Sequence, residues 1–339
     1  MCIVGKYIVS IVLPTYNRPA LLRDGLASIR QQVEQNWELI VVDDGSTDCN
    51  RQVVEEFQDQ VTQKVTYIYQ DNAGAGVARQ RGLEATGGSL IAFMDSDDPW
   101  LPHHLKDCVD AFEAYPDVDW IVAPARVVNE LTGETVHENS FFSGGTPRPH
   151  LALSADKRDD LFVIDDAALV GHSIVHGFPG GLQASVCRPW IKDRVRFRPY
   201  RLFDDNAFRI EAAAHGARVA YFTEPHINYR IHDQNVSLVN DSQRNVAKRA
   251  GAYRDGYRLM LELAEEDVFS PQQKRLLRHA AAGMAFWSLG YNTYWNNSQR
   301  LEAYSWFCRG VRLKPTDWRL WASFSRKLLL PFGAGKPRK

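Results

Sequence analysis

The sequence predicts an α/β fold followed by a mainly α-helical C-terminal extension. Three observations predict it. Short apolar runs rich in β-branched residues recur through roughly the first 130 positions, and helical apolar spacing of ten to fifteen residues separates them. From about Val246 onward only the helical pattern remains. Strands alternating with helices of that length define parallel βαβ units, hence a sheet with helices on both faces.

The elements follow in order. Tyr7–Leu13 (YIVSIVL) is continuously apolar, which suits a strand buried on both faces. Pro19 opens a helix in which Leu22, Leu26 and Ile29 share one face. Trp37–Val42 is a second strand, and Thr47 or Asp48 is placed to cap a helix reaching Gln58. Val65–Gln70 is a third strand, Gly76–Ala85 a short helix, Leu90–Met94 a fourth strand, Leu101–Tyr115 a helix and Asp119–Val128 a further strand. Residues 136–180, with Gly144, Gly145, Pro147, Pro149, Gly177, Pro179 and Gly180, read as long loops with short strands that shape a site. A helix at Asp205–Gly216 and a strand at Arg218–Phe222 come next. The aromatic run AFWSLGYNTYWNN has the spacing of a packed helical core and not of a sugar-stacking platform. The last ten residues, LPFGAGKPRK, read as a frayed end.

Composition narrows the function. With 45% hydrophobic and 24% charged residues among 339, the chain can bury a sizeable core, and no apolar run reaches the length of a bilayer-spanning helix. The N-terminus reads as a first strand and not as a signal peptide. The five cysteines (Cys2, Cys49, Cys108, Cys187, Cys308) are scattered without a CxxC, which indicates neither a disulfide framework nor a cysteine zinc site and makes a reducing cytoplasm the default. The formal net charge of -1 conceals an asymmetry: Arg309–Lys339 carries a net +8, leaving about -9 on the rest. The main body is therefore no general nucleic-acid binder.

In open α/β sheets, ligands bind beyond the carboxyl ends of the strands. The segments at those exits are PTYNR, DDGSTD, QDNAGAG and DSDD. Asp95-Ser96-Asp97-Asp98 can set two carboxylates on one side of the chain, and magnesium or manganese binds one or two carboxylates together with phosphate oxygens. Asp98-Pro99 equally suits a helix N-terminus. In Asp43-Asp44-Gly45-Ser46 a carboxylate can accept the N–H of a uracil ring, or the segment can be an Asx-turn closed by glycine.

The combination is more specific than its parts. VSIVLPTYNR, ELIVVDDGS, DNAGAGVARQRGLEATGG and LIAFMDSDD, in that order, resemble glycosyltransferase family 2, whose members have the nucleotide-sugar-binding fold called GT-A. The likeness is close over roughly residues 8–130 and looser to about 240. It implies a Rossmann-like nucleotide-diphospho-sugar transferase domain over 1–240, a helical extension over 241–330 and a flexible basic tail over 331–339. It implies that Thr15 and Asp44 contact the nucleotide base and that Arg79 faces the donor nucleotide. Gln80 stands where the family usually has Asn. Asp95 would be the ribose-side carboxylate of the DxD motif, and Asp97 its metal ligand. In Phe203-Asp204-Asp205, Asp205 would be the catalytic base and Asp204, in place of the usual Glu, would position the acceptor. A helix cap followed by a first-turn acid is the plain alternative for that pair. In Tyr229-Arg230-Ile231-His232, His232 would complete the metal site, with Arg230 and Ser237 toward phosphate oxygens. His172 and His176 match no motif and are taken as structural or acceptor-lining.

The implied chemistry is inverting transfer from a nucleotide-diphosphate sugar, a UDP-sugar by expectation, to a saccharide or lipid-linked saccharide hydroxyl, assisted by Mn2+ or Mg2+, in cell-surface polysaccharide or glycan synthesis. Processive polymer synthases carry membrane spans, which sets them apart. A sugar-nucleotide pyrophosphorylase would need a Gly-rich basic loop after the first strand, which PTYNR is not. A catalytically silent nucleotide-sugar- or glycan-binding protein would lose one of Asp97, Asp205 and His232, and all three are present. Asp317–Leu330 is a basic amphipathic helix with tryptophans, and two readings stay open for it: peripheral attachment to the cytoplasmic membrane face, or docking on the protein with its basic side in solvent.

Overall fold

The computed structural model describes residues 7–200, 203–232 and 246–328. They form two compact units, the first running to His232 except for Tyr200–Phe203, which belong with the second. Ser237 and the basic tail lie outside the described residues.

The first unit opens with β1 (Val9–Thr15), α1 (Pro19–Arg30), β2 (Trp37–Asp43), α2 (Asn50–Gln58), β3 (Val65–Tyr69), α3 (Ala75–Glu84) and β4 (Leu90–Phe93). β1 lies between β2 and β4, parallel to both, and β3 pairs parallel with β2 at the edge. Every residue of β1, β2 and β4 is buried, as mainly apolar strands covered on both faces are, and the polar exceptions Ser10 and Glu38 pair with each other at 2.6 Å. The register sets Thr15 beside Asp43 and Asp43 beside Tyr69, so the carboxyl ends of β1, β2 and β3 finish level. β1 is where the strand order reverses, which is where such sheets open a ligand crevice.

Beyond β4 the sheet departs from the all-parallel expectation. α4 (His104–Ala114) is followed by β5 (Trp120–Val122) and β6 (Ala125–Asn129). The single strand expected over Asp119–Val128 is thus two: β5 joins the main sheet, while β6 pairs in a three-stranded sheet. Pro124 separates them and, lacking an N–H, removes one ladder hydrogen bond where the chain changes sheets. Three short strands follow, β7 (Thr135–His137), β8 (Phe142–Ser143) and β9 (Thr146–Pro147). Then β10 (Ala155–Arg158), β11 (Leu161–Ile164), α5 (Leu169–His176) and β12 (Ser185–Cys187) complete a region expected to be mostly irregular. β12 inserts antiparallel between β4 and β5. The unit ends with α6 (Asp204–Ala214), β13 (Val219–Phe222) and β14 (Ile227–Ile231). The main sheet has nine strands, ordered β10-β11-β13-β5-β12-β4-β1-β2-β3.

One detail of α2 also differs from expectation. Neither Thr47 nor Asp48 is its cap residue; Cys49 is, and the Asp48 carboxylate accepts the N–H of Asn50 at 3.1 Å.

An aromatic cluster fixes α6. Phe208 stacks on Phe197 with centroids 4.0 Å apart and meets Phe93 of β4 and Trp120 of β5 edge-on or tilted. Burying one such side chain contributes about 1.5–3 kcal/mol. The cluster therefore holds the N-terminus of α6, and its two aspartates, against the sheet.

The second unit contains α7 (Val246–Leu263), α8 (Pro271–Gly283), α9 (Arg300–Leu313) and α10 (Trp318–Leu328). Ser270 starts α8 with a reciprocal capping box to Gln273. The chain then winds as a π-helix over Met284–Tyr294 and buries Phe286, Leu289, Tyr294 and Trp295 with Trp306 and Phe307, the packed core that the aromatic spacing predicts. In α10, Leu320 is buried and Phe324 packs on the same core, whereas Trp318 and Trp321 are 70% and 45% exposed. Among the described residues no helix is long and apolar enough to cross a membrane.

Candidate active site

The exits of β1, β2 and β3 are stitched to one another before any ligand is considered. Asp44 N–H donates to the Thr15 carbonyl at 2.9 Å and Gln70 N–H to the Asp43 carbonyl at 3.0 Å. Asp43 accepts the Ser46 N–H at 2.8 Å through one oxygen and the Tyr67 hydroxyl at 2.6 Å through the other. Asp44 is buried and accepts three donors: the Gln70 amide at 2.7 Å and the backbone N–H groups of Ala73 and Gly74 at 2.8 Å each. Its carboxylate thus orders the QDNAG loop. Thr15, also buried, accepts a hydrogen bond from the Asn50 amide at 3.3 Å. Gly45 has φ +84°, and a Cβ there would stand 2.7 Å from the Asn72 nitrogen, so this turn needs glycine.

Arg79, on α3, ties three elements together. One guanidinium nitrogen donates to Asp95 at 2.7 Å, beyond β4, and another to Asp204 at 3.1 Å, at the start of α6. Gly76 permits this approach, because a Cβ there would lie 2.7 Å from the Arg198 carbonyl and 3.0 Å from the Asp204 carboxylate. The surrounding carboxylates hold the Arg79 cation firmly charged despite its burial. Burial pushes the Asp204 carboxyl up to about 6, against the pull of Arg79, and the neighbouring Asp205 adds to the rise. Asp205 is more open, with 37% of its side chain exposed, and takes one hydrogen bond from Arg209 at 3.1 Å. Arg209 is itself anchored by donating to the Gly180 carbonyl at 2.6 Å and lies over the Phe178 ring.

The second half of the cluster centres on Asp97. His232 Nε2 lies 3.1 Å from Asp97 Oδ2, and Arg18 donates to the same oxygen at 2.8 Å. Arg230 is engaged by protein groups. Its Nε donates to the Asp97 carbonyl at 2.7 Å, its Nη1 pairs with Asp24 at 2.8 Å, and its backbone N–H donates to Asp98 at 3.2 Å. Arg230 thereby fixes the backbone of the DSDD turn. Asp98 is buried beside Asp97 and Asp95, and that environment raises its pKa well above the usual carboxylate range.

The structure therefore gathers Asp95, Asp97, Arg79, Asp204, Asp205 and His232 at the strand exits of one unit, with Thr15 and Asp44 at the neighbouring exits. His172 and His176 are not among them; they contact each other on α5. The sequence reading did not single out Arg18, Asp24 or Arg209. Arg18 sat in the quoted PTYNR segment, but its partner is 79 residues away.

The raised Asp204 value has a testable consequence. A carboxyl that binds its proton more readily in the folded chain stabilises the fold fully below about pH 4 and loses that contribution as pH rises through its folded value of about 6. In urea unfolding, the stability of the wild type relative to Asp204→Asn should fall between pH 4 and pH 7.5 by on the order of 2 kcal/mol. A gap that stays constant or widens would contradict the assignment.

A mixed nine-stranded α/β sheet with acidic residues gathered at its switch point, joined to a helical region, is the GT-A class of nucleotide-diphospho-sugar transferase folds. Residues 10–175 match the family model described as glycosyl transferase family 2, and this stretch of the chain belongs to that family. Two relatives are similar to part of the chain. The putative teichuronic acid biosynthesis glycosyltransferase TuaG of Bacillus subtilis is 38% identical over 102 residues, 30% of this chain and 40% of that protein. The Escherichia coli UDP-Glc:alpha-D-GlcNAc-diphosphoundecaprenol beta-1,3-glucosyltransferase WfgD is 40% identical over 100 residues, 30% and 39% of the two chains. The matched stretch thus spans about two fifths of each relative's length. Among solved structures, S. aureus TarS 1-349 in complex with UDP-GlcNAc has a TM-score of 0.64 at 16% identity, covering 94% of this chain and 88% of that one. At that identity the likeness speaks for the fold.

Proposed function

We propose that the chain is an enzyme, an inverting glycosyltransferase that moves a sugar from a nucleotide diphosphate, UDP before others, to a hydroxyl of a saccharide or lipid-linked saccharide acceptor with the help of a divalent cation. The observation that carries this reading is the convergence of Asp97 and His232 at 3.1 Å, next to the Arg79 bridge that joins Asp95 to the α6 aspartates. Relatives support the substrate class. WfgD is named for a UDP-glucose donor and a diphosphoundecaprenol-linked acceptor. The fold neighbours include TarS with UDP-GlcNAc and a Pyrobaculum calidifontis mannosyltransferase with GDP-Man and Mn2+.

A carboxylate oxygen and an imidazole nitrogen in near contact fit a manganese or magnesium ion. When bound, such an ion neutralises charge growing on a diphosphate leaving group. Asp97 and His232 would hold it. Arg18, now paired with Asp97, would be released toward the phosphates. Thr15 and Asp44 would seat the base, and Asp95 would accept from the ribose while Arg79 keeps its carboxylate in place. Asp205, the more exposed of the two α6 aspartates, would face the acceptor and take the proton of the attacking hydroxyl. Displacement from opposite faces of the sugar inverts the anomeric centre. Asp204, charge-paired and buried, would orient the base and the acceptor.

The test is a panel of UDP- and GDP-sugars screened by thermal shift with manganese, followed by turnover assays on whatever binds. A donor that stabilises the fold and is consumed supports the enzyme reading. Binding without consumption under any acceptor would favour a silent nucleotide-sugar-binding protein instead.

The exposed tryptophans of α10 favour a further part of this reading. We infer that Trp318 and Trp321, with Arg319 and Arg326, rest on an anionic membrane surface where a lipid-linked acceptor would be met. Trp318→Ser/Trp321→Ser should float less with anionic liposomes than the wild type, and equal flotation would defeat the idea.

A further inference from the structure

The start of α4 and the turn before β14 bring together a set of metal-binding side chains that the reaction does not use. His103 and Asp107, four residues apart, share one face of the helix start, and His104 and Cys108 share the adjacent face. His226 comes from the turn between β13 and β14 and meets both pairs. Its Nδ1 lies 3.2 Å from His104 Nδ1, and its Nε2 lies 3.7 Å from Asp107 Oδ2. The backbone holds it there: His226 N–H donates to the Pro124 carbonyl at 3.1 Å, and Leu101 N–H donates to the His226 carbonyl at 2.8 Å.

The ligand atoms of His103, Asp107 and His226 lie within 4.8 Å of one another, and so do those of His104, Cys108 and His226. Tetrahedral zinc with bonds of about 2.0–2.1 Å sets its ligand atoms about 3.4 Å apart, close to the Asp107–His226 separation. Access selects the first set. Cys108 is wholly buried and does not line the cavity described next. His103 and Asp107 instead line a cavity of about 700 Å³ together with His226. Asp110, Asp159, Asp160 and Glu224 line it too, which draws cations, against two arginines, Arg126 and Arg158.

His226 is buried, and its two ring nitrogens face His104 and Asp107. The Nδ1 atoms of His226 and His104, 3.2 Å apart, can share one proton between them. With that proton on His226 Nδ1, donated to His104, the Nε2 lone pair of His226 faces Asp107. An outer partner that fixes the tautomer of a metal-binding histidine in this way is a regular part of zinc sites. The His104 ring is held in place by packing on Trp100, with centroids 4.6 Å apart.

We propose that His103, Asp107 and His226 form a divalent transition-metal site of the zinc type, distinct from the Asp97 cleft, with an open coordination position toward the cavity. The ion would join the start of α4 to the turn that leads into β14, the strand that carries Arg230.

The test uses the full chain stripped with chelator, loaded with zinc and freed of excess, with the bound metal counted by mass spectrometry. Asp97→Ala, which removes the other proposed cation site, should retain one zinc per chain, and the double variant His103→Gln/Asp107→Asn made in that Asp97→Ala background should lose it, along with the zinc-induced rise in melting temperature. Both substituted side chains of the double variant are at the cavity surface, so its metal-free melting point should match that of Asp97→Ala. Cobalt in place of zinc should give a four- or five-coordinate visible spectrum without a sulfur-to-cobalt band. Retention of zinc by the double variant, loss of all zinc in Asp97→Ala, or a sulfur band with cobalt would each overturn the proposal. None of these readouts involves sugar transfer, so they stand apart from the test of the enzyme reading.

Discussion

Asp205→Asn is expected to lower sugar transfer by roughly 10²–10⁴-fold, the usual contribution of a positioned general base, while leaving affinity for UDP nearly unchanged. The reason is positional. Asp205 sits in the first turn of α6, more exposed than its neighbour, and Arg209 holds one of its oxygens. The amide is nearly the same size and can still accept from Arg209, so the local structure should persist. What it loses is the ability to receive a proton. Single-turnover kinetics with saturating donor would separate the chemical step from binding. Turnover close to that of the wild type would remove Asp205 from the role of base.

Arg79→Met is the second change with a large expected effect, and here the readout is stability. Arg79 is 11% exposed and is the shared cation of Asp95 and Asp204. Removing one member of a buried ion-paired group leaves the others uncompensated, which typically costs about 3–5 kcal/mol. Methionine retains much of the packing, so the loss would report charge and not volume. Arg79→Lys should recover only part of it, since a point charge cannot reach two carboxylates as a forked guanidinium does. Urea unfolding at neutral pH measures both. A loss below about 1 kcal/mol for Arg79→Met would mean that the bridge contributes little to holding α3, the DSDD turn and α6 together.

The parallel half of the sheet was legible because its central strands are buried on both faces and so read as mainly apolar, β-branched runs, as in Val9–Thr15 and Trp37–Asp43. The antiparallel insertion was not. Ser185–Cys187 is three residues long, too short to carry a period, and its place between β4 and β5 depends on pairing with residues far away in the chain. The break at Pro124 was readable in principle, since proline interrupts a ladder, but the apolar run on both sides concealed it. At the site, residue types at strand exits disclosed the acids, because only the short-range order of strand and loop is needed to place them. Partners were harder. Nothing local to Arg230 announces that it braces the Asp97 carbonyl and Asp24, and nothing local to Arg18 announces Asp97. The His103–His226 grouping is likewise a product of tertiary folding, since 123 positions separate its two histidines.

The account rests on a cation seated between Asp97 and His232 and shared with a nucleotide diphosphate. The most direct measurement is an anomalous difference map, at the manganese edge, from crystals grown with UDP and Mn2+. The expected result is a peak bonded to Asp97 and His232 and to the diphosphate, with Arg18 displaced from Asp97. A peak elsewhere, or UDP bound in the cleft with Arg18 still on Asp97 and no manganese beside it, would contradict the account.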